Sequence, residues 1–406
     1  MMIYDEIAGM MIGDLCPTKI MGVINLSEES FYKGSVASGD EVVERASIMI
    51  EEGADIIDIG ARSTAPGVRQ ISVQDERERL IPALKGVLEL GVPISVDTQY
   101  SNIAEVALDM GAWIINDVSG LQTDPHMADV ISDFNVPVIL MASKVKPGDC
   151  ITLPEILKSL IDSIALAEGK GISKIIIDPG IGRWVKEKTY EYNLDIISGL
   201  EVLKVLRKPI LVAISRKSFI GDILGAPEPC DRLAGTLACT AIAVYKGAHI
   251  VRTHDIKETR DLIRTARAIR GKQIMAENGD YQVINIDYLK NPEDSVELMR
   301  SLDVTEMGIK IMSGKTVSRV ILIKNVTAPE ALIIKQEMLA RGGDAAIPMR
   351  TMSGEIKRAD VIIIGTILQI NNLIKKLKGQ SFNLPVISNL IKDILEKERD
   401  VKYLYG

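Results

Sequence analysis

Residues 54–61 read ADIIDIGA, and this stretch decides the fold. It is rich in Ile, shows no clean alternation of apolar and polar residues, and carries an acid, Asp58, near its C-terminal end. A strand buried on both faces reads this way. Working outward, the same pattern recurs in KIMGVINLS (19–27), PISVDTQ (93–99), WIINDVS (113–119), PVILMAS (137–143), KIIIDPGIG (174–182), PILVAISRKS (209–218) and HIVRTHD (249–255). Amphipathic stretches separate these runs. Asp40 to Glu52 and Leu153 to Lys170 have apolar positions three and four apart, which predicts helices, and Gly53, Gly91, Gly111 and Gly171 follow helical stretches as stops. Eight strand–helix units in about 250 residues predict a (β/α)8 TIM barrel. A doubly wound open sheet is the rival, but it often opens with a GxGxxG turn, and no such turn follows the first strand here.

Polar residues gather at the C-terminal ends of these strands: Asn25, Asp58, Asp97, Asn116, Asp178, Ser215 with Arg216 and Lys217, and Arg252 with His254. In a barrel all eight ends open on one face, and that face carries the active site. Any one of these residues also reads as a helix cap or a turn. Their repetition at equivalent positions points to a site.

The barrel is expected over residues 1–272. Within it, Gly9 and Gly13 around Met10-Met11-Ile12 suit a short hairpin closing the barrel floor. Residues 273–282 are polar, contain Asn-Gly and read as a linker or turn. Residues 283–406 read as a smaller α/β domain of unknown role. Its strands are expected at QVINI (282–286), SRVILIKNV (318–326) and DVIIIGT (360–366), and its helices at Pro329 to Arg341, Gln369 to Leu377 and Val386 to Lys397. Gly342-Gly343 reads as a helix end, with a phosphate cradle as the weaker alternative.

Composition limits the function classes. The chain has 406 residues, 47% of them apolar, so a large core is available, while aromatics are only 4%. Lys plus Arg number 48 against 55 Asp plus Glu, a net charge of −7, which argues against non-specific nucleic-acid binding. Four scattered cysteines, with no CxxC pair, argue against a zinc site or disulfide framework and for a reducing compartment. No apolar run reaches the length of a membrane span, and no signal peptide is read. A soluble, cytoplasmic protein with no nucleic-acid or membrane partner is expected.

The strand-end residues define a chemistry. Asp97, Asn116 and Asp178 offer carboxylates and an amide to the edge of a flat, nitrogen-rich heterocycle. Arg252 and His254 lie two apart and so share one side of their strand, a pairing that suits a phosphate or pyrophosphate. Asn25, with Glu28 and Glu29 after it, offers oxygen ligands for Mg2+.

At this point the residues resemble a family. MGVINLSEESFYKGS (21–35) and DIIDIGARSTAPG (55–67), followed in order by ISVDTQ, IINDVSG, IIIDPGIG, ISRKSFIG and IVRTHDIKET, resemble the signatures of dihydropteroate synthases across residues 5–272. FYKGS resembles the archaeal branch. The resemblance implies a TIM barrel that joins 6-hydroxymethyl-7,8-dihydropterin diphosphate to para-aminobenzoate or a related arylamine and releases pyrophosphate, in folate or methanopterin biosynthesis. It implies that Asp97, Asn116, Asp178 and Lys217 hold the pterin, with Met141 packed near the ring and Ser215 at the same strand ends. Asn25, Arg252 and His254 would hold the diphosphate, with Asn25 and Glu29 near Mg2+. Thr64 would lie in the second loop, and Ser218 would approach the acceptor carboxylate. A homodimer is implied because family members are commonly dimers.

Four positions depart from the family pattern. The first loop reads NLSEES, where Glu29 keeps a negative charge in place of the usual Pro-Asp. The second reads ARSTAPG, with Arg62 at an acidic position and Ala65 at an arginine position, so its cation moves by three residues. The fifth strand ends MASKVKPGD without the usual Met-His, and Arg183 follows DPGIG where an aromatic usually lines the acceptor side. Arg183 would suit an acceptor larger and more anionic than para-aminobenzoate, or else it faces solvent or pairs with a carboxylate. Two alternatives stay open: the pterin-binding domain of a methyltetrahydropterin:corrinoid methyltransferase, and a non-catalytic pterin-binding protein.

Overall fold

A computed structural model describes residues 3–26, 40–62, 71–226, 228–270, 275–278, 281–286, 289 and 291–399. The chain divides into two compact units, Met1–Asn285 and Ile286–Gly406.

The first unit begins with a hairpin of β1 (Tyr4–Ile7) and β2 (Met10–Gly13). Eight parallel strands follow: β3 (Lys19–Asn25), β4 (Ile56–Gly60), β5 (Ile94–Asp97), β6 (Ile114–Asp117), β7 (Val138–Met141), β8 (Ile175–Asp178), β9 (Leu211–Ala213) and β10 (Ile250–Thr253). They pair in the order β8-β7-β6-β5-β4-β3-β10-β9. The two ends of that order meet through a parallel bridge between Ile177 and Ile210, with the Ile177 N–H donating to the Pro209 carbonyl at 2.9 Å. The sheet is therefore closed, as the barrel reading requires.

Helices α1 (Asp40–Glu52), α2 (Val73–Val87), α3 (Ser101–Asp109), α4 (Met127–Phe134), α5 (Leu153–Gly169), α6 (Tyr190–Ser198), α7 (Ser218–Leu224), α8 (Leu233–Tyr245) and α9 (Ile256–Arg270) lie between and after the strands. The helix expected from Asp40 to Glu52 has those bounds, and the one expected from Leu153 stops one residue short of Lys170. Local chemistry sets the starts. Ser72 and Asp75 form a reciprocal capping box at α2, and Thr152 and Glu155 form another at α5.

Burial explains why the strands did not alternate in sequence. In β4, Ile57 and Ile59 pack outward into the large core shared with the helices, whereas Ile56 belongs to an inner cluster. That cluster contains Met21, Ile114, Ile139, Ile176, Leu211, Ala213 and Ile250 from the barrel wall, and Ile7 and Ile12 from the hairpin. The hairpin thus plugs the barrel floor. Successive side chains of a strand point to opposite faces. The inward neighbours two residues above this layer are Asp58, Asn116, Met141, Asp178, Ser215 and Arg252, and Asp97 sits two above Ser95. Apolar floor and polar mouth therefore follow from one period-2 rule.

The stretch 273–282, read as a linker or turn, carries a hairpin. β11 (Met275–Asn278) pairs antiparallel with β12 (Tyr281–Ile284), Asn278 opposite Tyr281. The expected strand QVINI is therefore not part of the second domain's sheet. Its first residues, Gln282–Ile284, lie in β12, where they pair with Met275–Glu277 of β11.

The second unit contains α10 (Asp294–Arg300), α11 (Glu306–Met312), β13 (Ser318–Thr327), α12 (Ala328–Leu339), β14 (Asp344–Ala346), α13 (Met349–Met352), β15 (Arg358–Thr366), α14 (Ile367–Leu377) and α15 (Leu384–Arg399). Its antiparallel sheet runs β13-β15-β14. Ile321, Val361 and Ile363 pack against α12, α14 and α15, while Val320, Leu322, Ile362 and Ile364 are exposed on the other face. Gly342-Gly343 ends α12: φ at Gly342 is 74°, and the Gly343 N–H returns to the Met338 carbonyl at 3.1 Å. Among the described residues, no helix is long and apolar enough to cross a membrane.

Candidate active site

The barrel mouth gathers the inward polar residues into one linked set. Arg252, on β10, reaches across the barrel. Its Nε lies 2.6 Å from Asp58 Oδ2 on β4, and its Nη2 lies 3.0 Å from Asp97 Oδ2 on β5. The Asn116 amide on β6 donates to the same Asp58 oxygen at 3.3 Å. Asp58 is fully buried, and its Oδ1 has no hydrogen-bond partner among the described residues. A buried carboxylate oxygen left unpaired costs stability unless a donor arrives. Burial lifts the Asp97 carboxyl to about 7; Arg252 opposes the shift, and Asp58, Glu76 and Asp117 add to it.

Asp178 ends β8, and its Oδ1 accepts from the Gly180 N–H at 2.8 Å. Burial raises its proton affinity while Lys217 pulls it down. Lys217 is itself lowered to about 8 by burial, against the pull of Asp178. Its Nζ donates to the Ile181 carbonyl and sits 5.1 Å from the centre of the Trp184 ring. Met141 is buried at the end of β7, and a Cβ on Gly180 would lie 3.3 Å from its Cγ.

Ser215 Oγ lies 2.8 Å from His254 Nδ1. Burial, with Arg252, Arg216, Arg45 and Lys217 around it, drives the His254 imidazole down to about 3, so it is neutral near pH 7. Ser218 is exposed at the first position of α7. Asn25 closes β3 and is half-buried. Thr64, Ala65 and Glu29 lie outside the described residues.

Two cations are committed elsewhere. Arg216, expected beside Lys217 near the ligand, forms a two-point pair with Asp255 at 2.9 and 2.6 Å and donates to the Pro229 and Cys230 carbonyls. Its backbone has φ 55°, which turns the side chain of the residue after Ser215 into this clamp. Arg183 is exposed, with Nη1 3.3 Å from Asp222 Oδ2, the carboxylate pairing that was one of its two readings.

Several contributors escaped the sequence reading. Asp58 reads in the sequence only as a strand-end acid, and its offset of two from Ile56 is the signal that it faces inward. Lys188 is fully buried; its Nζ donates to the Gly180 carbonyl at 2.7 Å and the Gly148 carbonyl at 3.3 Å. Asn193 Oδ1 accepts from the Gly182 N–H at 2.5 Å. Together they hold the DPGIG turn that presents Asp178 and receives Lys217. Trp184, one position beyond Arg183, supplies an aromatic ring at this turn. A lone lysine in VKEKT carries no sequence signal for burial.

The site can therefore accept hydrogen bonds from a heterocycle edge, offer Lys217 and Arg252 as cations, and approach an anion with Ser215 and His254. Comparisons with known proteins show which proteins the barrel is similar to. A model of the pterin binding enzyme family matches residues 21–254. The dihydropteroate synthase of Bacillus subtilis (strain 168) is 40% identical over 259 residues, covering 63% of this chain and 90% of that protein. The crystal structure of dihydropteroate synthase from Clostridium difficile in the presence of pteroic acid is similar at 37% identity and a TM-score of 0.56, covering 62% of this chain and 97% of the other. A dihydropteroate synthase from Coxiella burnetii in complex with pteroic acid is similar at 36% identity and a TM-score of 0.58, covering 63% of this chain and 94% of the other.

Proposed function

The chain belongs to the dihydropteroate synthase family of pterin-binding enzymes, and from that premise we propose how its residues work. The enzyme condenses 6-hydroxymethyl-7,8-dihydropterin diphosphate with para-aminobenzoate in folate synthesis. One observation carries the assignment of roles: Arg252 joins the Asp58 and Asp97 carboxylates, the Asn116 amide donates to Asp58, and one buried Asp58 oxygen still lacks a donor among the described residues. Asp97, Asn116 and Asp178 accept from and donate to the pterin edge, Lys217 donates from the opposite side, and Met141 packs against the ring. Arg252, His254 and Ser215 receive the diphosphate.

The bond from the pterin methylene to the diphosphate oxygen breaks, and its electron pair leaves with pyrophosphate. Positive charge developing on the methylene spreads into the ring, where Asp97 and Asp178 stabilise it. The neutral arylamine nitrogen forms the new C–N bond and then loses a proton to water. Ser218 and Trp184 lie on the acceptor side, and positioning supplies much of the rate.

Among the described residues no group of three acids, histidines or cysteines makes an all-protein metal cage. The single amide of Asn25 fits Mg2+, which takes its other ligands from diphosphate oxygens and water; when bound, the ion neutralises the leaving group. Free cysteines at 16, 150, 230 and 239 support a reducing, cytoplasmic location. The outer wall at α8 and α9 exposes Ile242, Tyr245 and Ile269 along a groove also lined by Leu237 and Leu262, which supports a homodimer; sedimentation would test it.

Pyrophosphate release tests the reading. Protein, Mg2+ and the dihydropterin diphosphate are mixed with para-aminobenzoate in one cell and phosphorylated ribofuranosyl-aminobenzene in another. Release with para-aminobenzoate is expected. Release with the larger acceptor alone would move the enzyme to the methanopterin route and give Arg183 an acceptor role, which Arg183→Phe would then abolish. Pterin binding without release in either cell would overturn the enzyme reading.

A further inference from the structure

Beside the mouth, a buried ion pair that the mechanism above does not use joins the ends of β4 and β5 to α2. Arg62 follows β4 and Glu76 lies in the first turns of α2; their side chains are 5% and 1% exposed. Arg62 Nε is 2.6 Å from Glu76 Oε2, and Arg62 Nη1 donates to the Ile71 carbonyl at 2.6 Å. Arg62 therefore ties the point where the chain leaves β4 to the point where it enters α2. The other Glu76 oxygen accepts from Thr98 Oγ1 at 2.7 Å, and Thr98 is the residue after Asp97. Thr98 Oγ1 in turn accepts from the Tyr100 N–H at 3.3 Å, and the Arg62 guanidinium lies 4.9 Å from the centre of the Tyr100 ring. Arg62 is the cation displaced by three residues in the second loop, so here that cation serves an internal carboxylate.

We propose that Arg62 and Glu76 are positioning residues that hold the end of β5, and with it Asp97, against the pterin, and that they do so as a charge-balanced unit. The inference rests on the transferase reading. A carboxylate one residue's reach from Asp97 makes its ionised form harder to keep; a guanidinium on that carboxylate cancels the effect. Arg pairs through a planar fork, which fixes geometry as well as charge. The other charged groups facing Asp97 are Arg252 on β10, Asp58 on β4, Asp117 on β6 and Lys217 after β9.

Glu76→Gln, Arg62→Gln, the double variant and Arg62→Lys separate this role from a merely structural one. The readouts are the pH profile of kcat/KM for dihydropterin diphosphate and thermal melting. Arg62→Gln leaves a buried negative charge beside Asp97 and should move the acidic limb to higher pH. Glu76→Gln should move it to lower pH, each by up to about one unit. The double variant should return to the wild-type limb, and Arg62→Lys should keep the limb while lowering kcat/KM. Single variants that shift the limb in the same direction, or not at all, overturn the proposal. If Glu76→Gln does not fold, Arg62→Gln and Arg62→Lys decide by whether the limb moves in the first and stays in the second. Wild-type protein that releases no pyrophosphate would instead defeat the transferase reading itself.

Discussion

Lys188→Met is expected to leave the fold nearly as stable while crippling catalysis. Lys188 is fully buried, and burial lowers its proton affinity from 10.5 to about 8. At about 1.4 kcal/mol per unit, keeping its charge inside costs about 3 kcal/mol. Against this stand its hydrogen bonds to the Gly180 and Gly148 carbonyls, worth together about 2–5 kcal/mol for a charged donor. Met occupies a similar volume without the charge, so the two effects nearly cancel, and the net change should stay within about 2 kcal/mol. Catalysis has no such compensation. Gly180 presents its N–H to Asp178, and the next residue's carbonyl receives Lys217. A shift of about 1 Å in this turn should lower kcat/KM about 10- to 100-fold. The assay pairs pyrophosphate release with urea denaturation. A signature in pH adds a check. Between about 8 and 10.5 the unfolded chain holds a proton that the folded chain has released, so wild-type stability rises with pH there, and the Met variant lacks that rise. Retention of full kcat/KM by a folded Lys188→Met protein, or loss of activity only in step with unfolding, would refute the reasoning.

Gly182→Ala should lower kcat/KM about tenfold with the fold intact, because φ is 137° and a Cβ would sit 2.9 Å from Lys217 Cδ; steady-state kinetics and circular dichroism check this. At the barrel floor, Asp14 pairs with Lys204 at 2.8 Å, His249 at 3.4 Å and Arg270 at 3.6 Å, and accepts from the Ile3 N–H at 3.1 Å. Burial resists ionisation of Asp14, but His249 and Lys204 outweigh it and hold the carboxyl well below the usual range. That stability is present above the unfolded carboxyl value near 4 and is lost as pH falls below it. Asp14→Asn should therefore cost about 3 kcal/mol at pH 7 and flatten the acid limb of chemical denaturation. Burial, with the surrounding cations adding to it, holds His254 near 3; bound diphosphate would offset the cations and raise the imidazole's proton affinity, so binding should take up protons increasingly as pH falls; calorimetry in buffers of different ionisation enthalpy would read this, and equal heats at every pH would exclude it.

Much of the barrel was legible because it is repetitive. Eight Ile- and Val-rich runs, separated by helical stretches, leave few architectures able to bury both faces of every strand. The mouth was legible for the same reason, since a polar residue two positions above an apolar floor recurs on strand after strand. Asp97, Asn116, Asp178 and Arg252 stand out in sequence as strand-end polar residues, Lys217 follows a strand end, and the hairpin plug followed from the Gly-bounded run Met10-Met11-Ile12. The hairpin of β11 and β12 is not legible in the sequence, because a short β-rich run such as QVINI does not name its partner. The pairing gives β12 its partner β11, and the division of the chain at Asn285 places both in the first unit.

Side-chain direction and partnership belonged to the tertiary structure alone. Nothing in SRKS says that Arg216 turns away to Asp255 while Lys217 turns in to Ile181. Nothing in ARSTAPG says that Arg62 finds Glu76, and nothing in VKEKT says that Lys188 is buried. Sequence determined the strands, their order of inward positions and the chemical types at the mouth, because periodicity is local and backbone geometry converts it directly into faces. Tertiary structure decided which charges pair and which remain for a ligand. Those pairings join residues far apart in the chain, and their energies exist only once burial has removed water from between them.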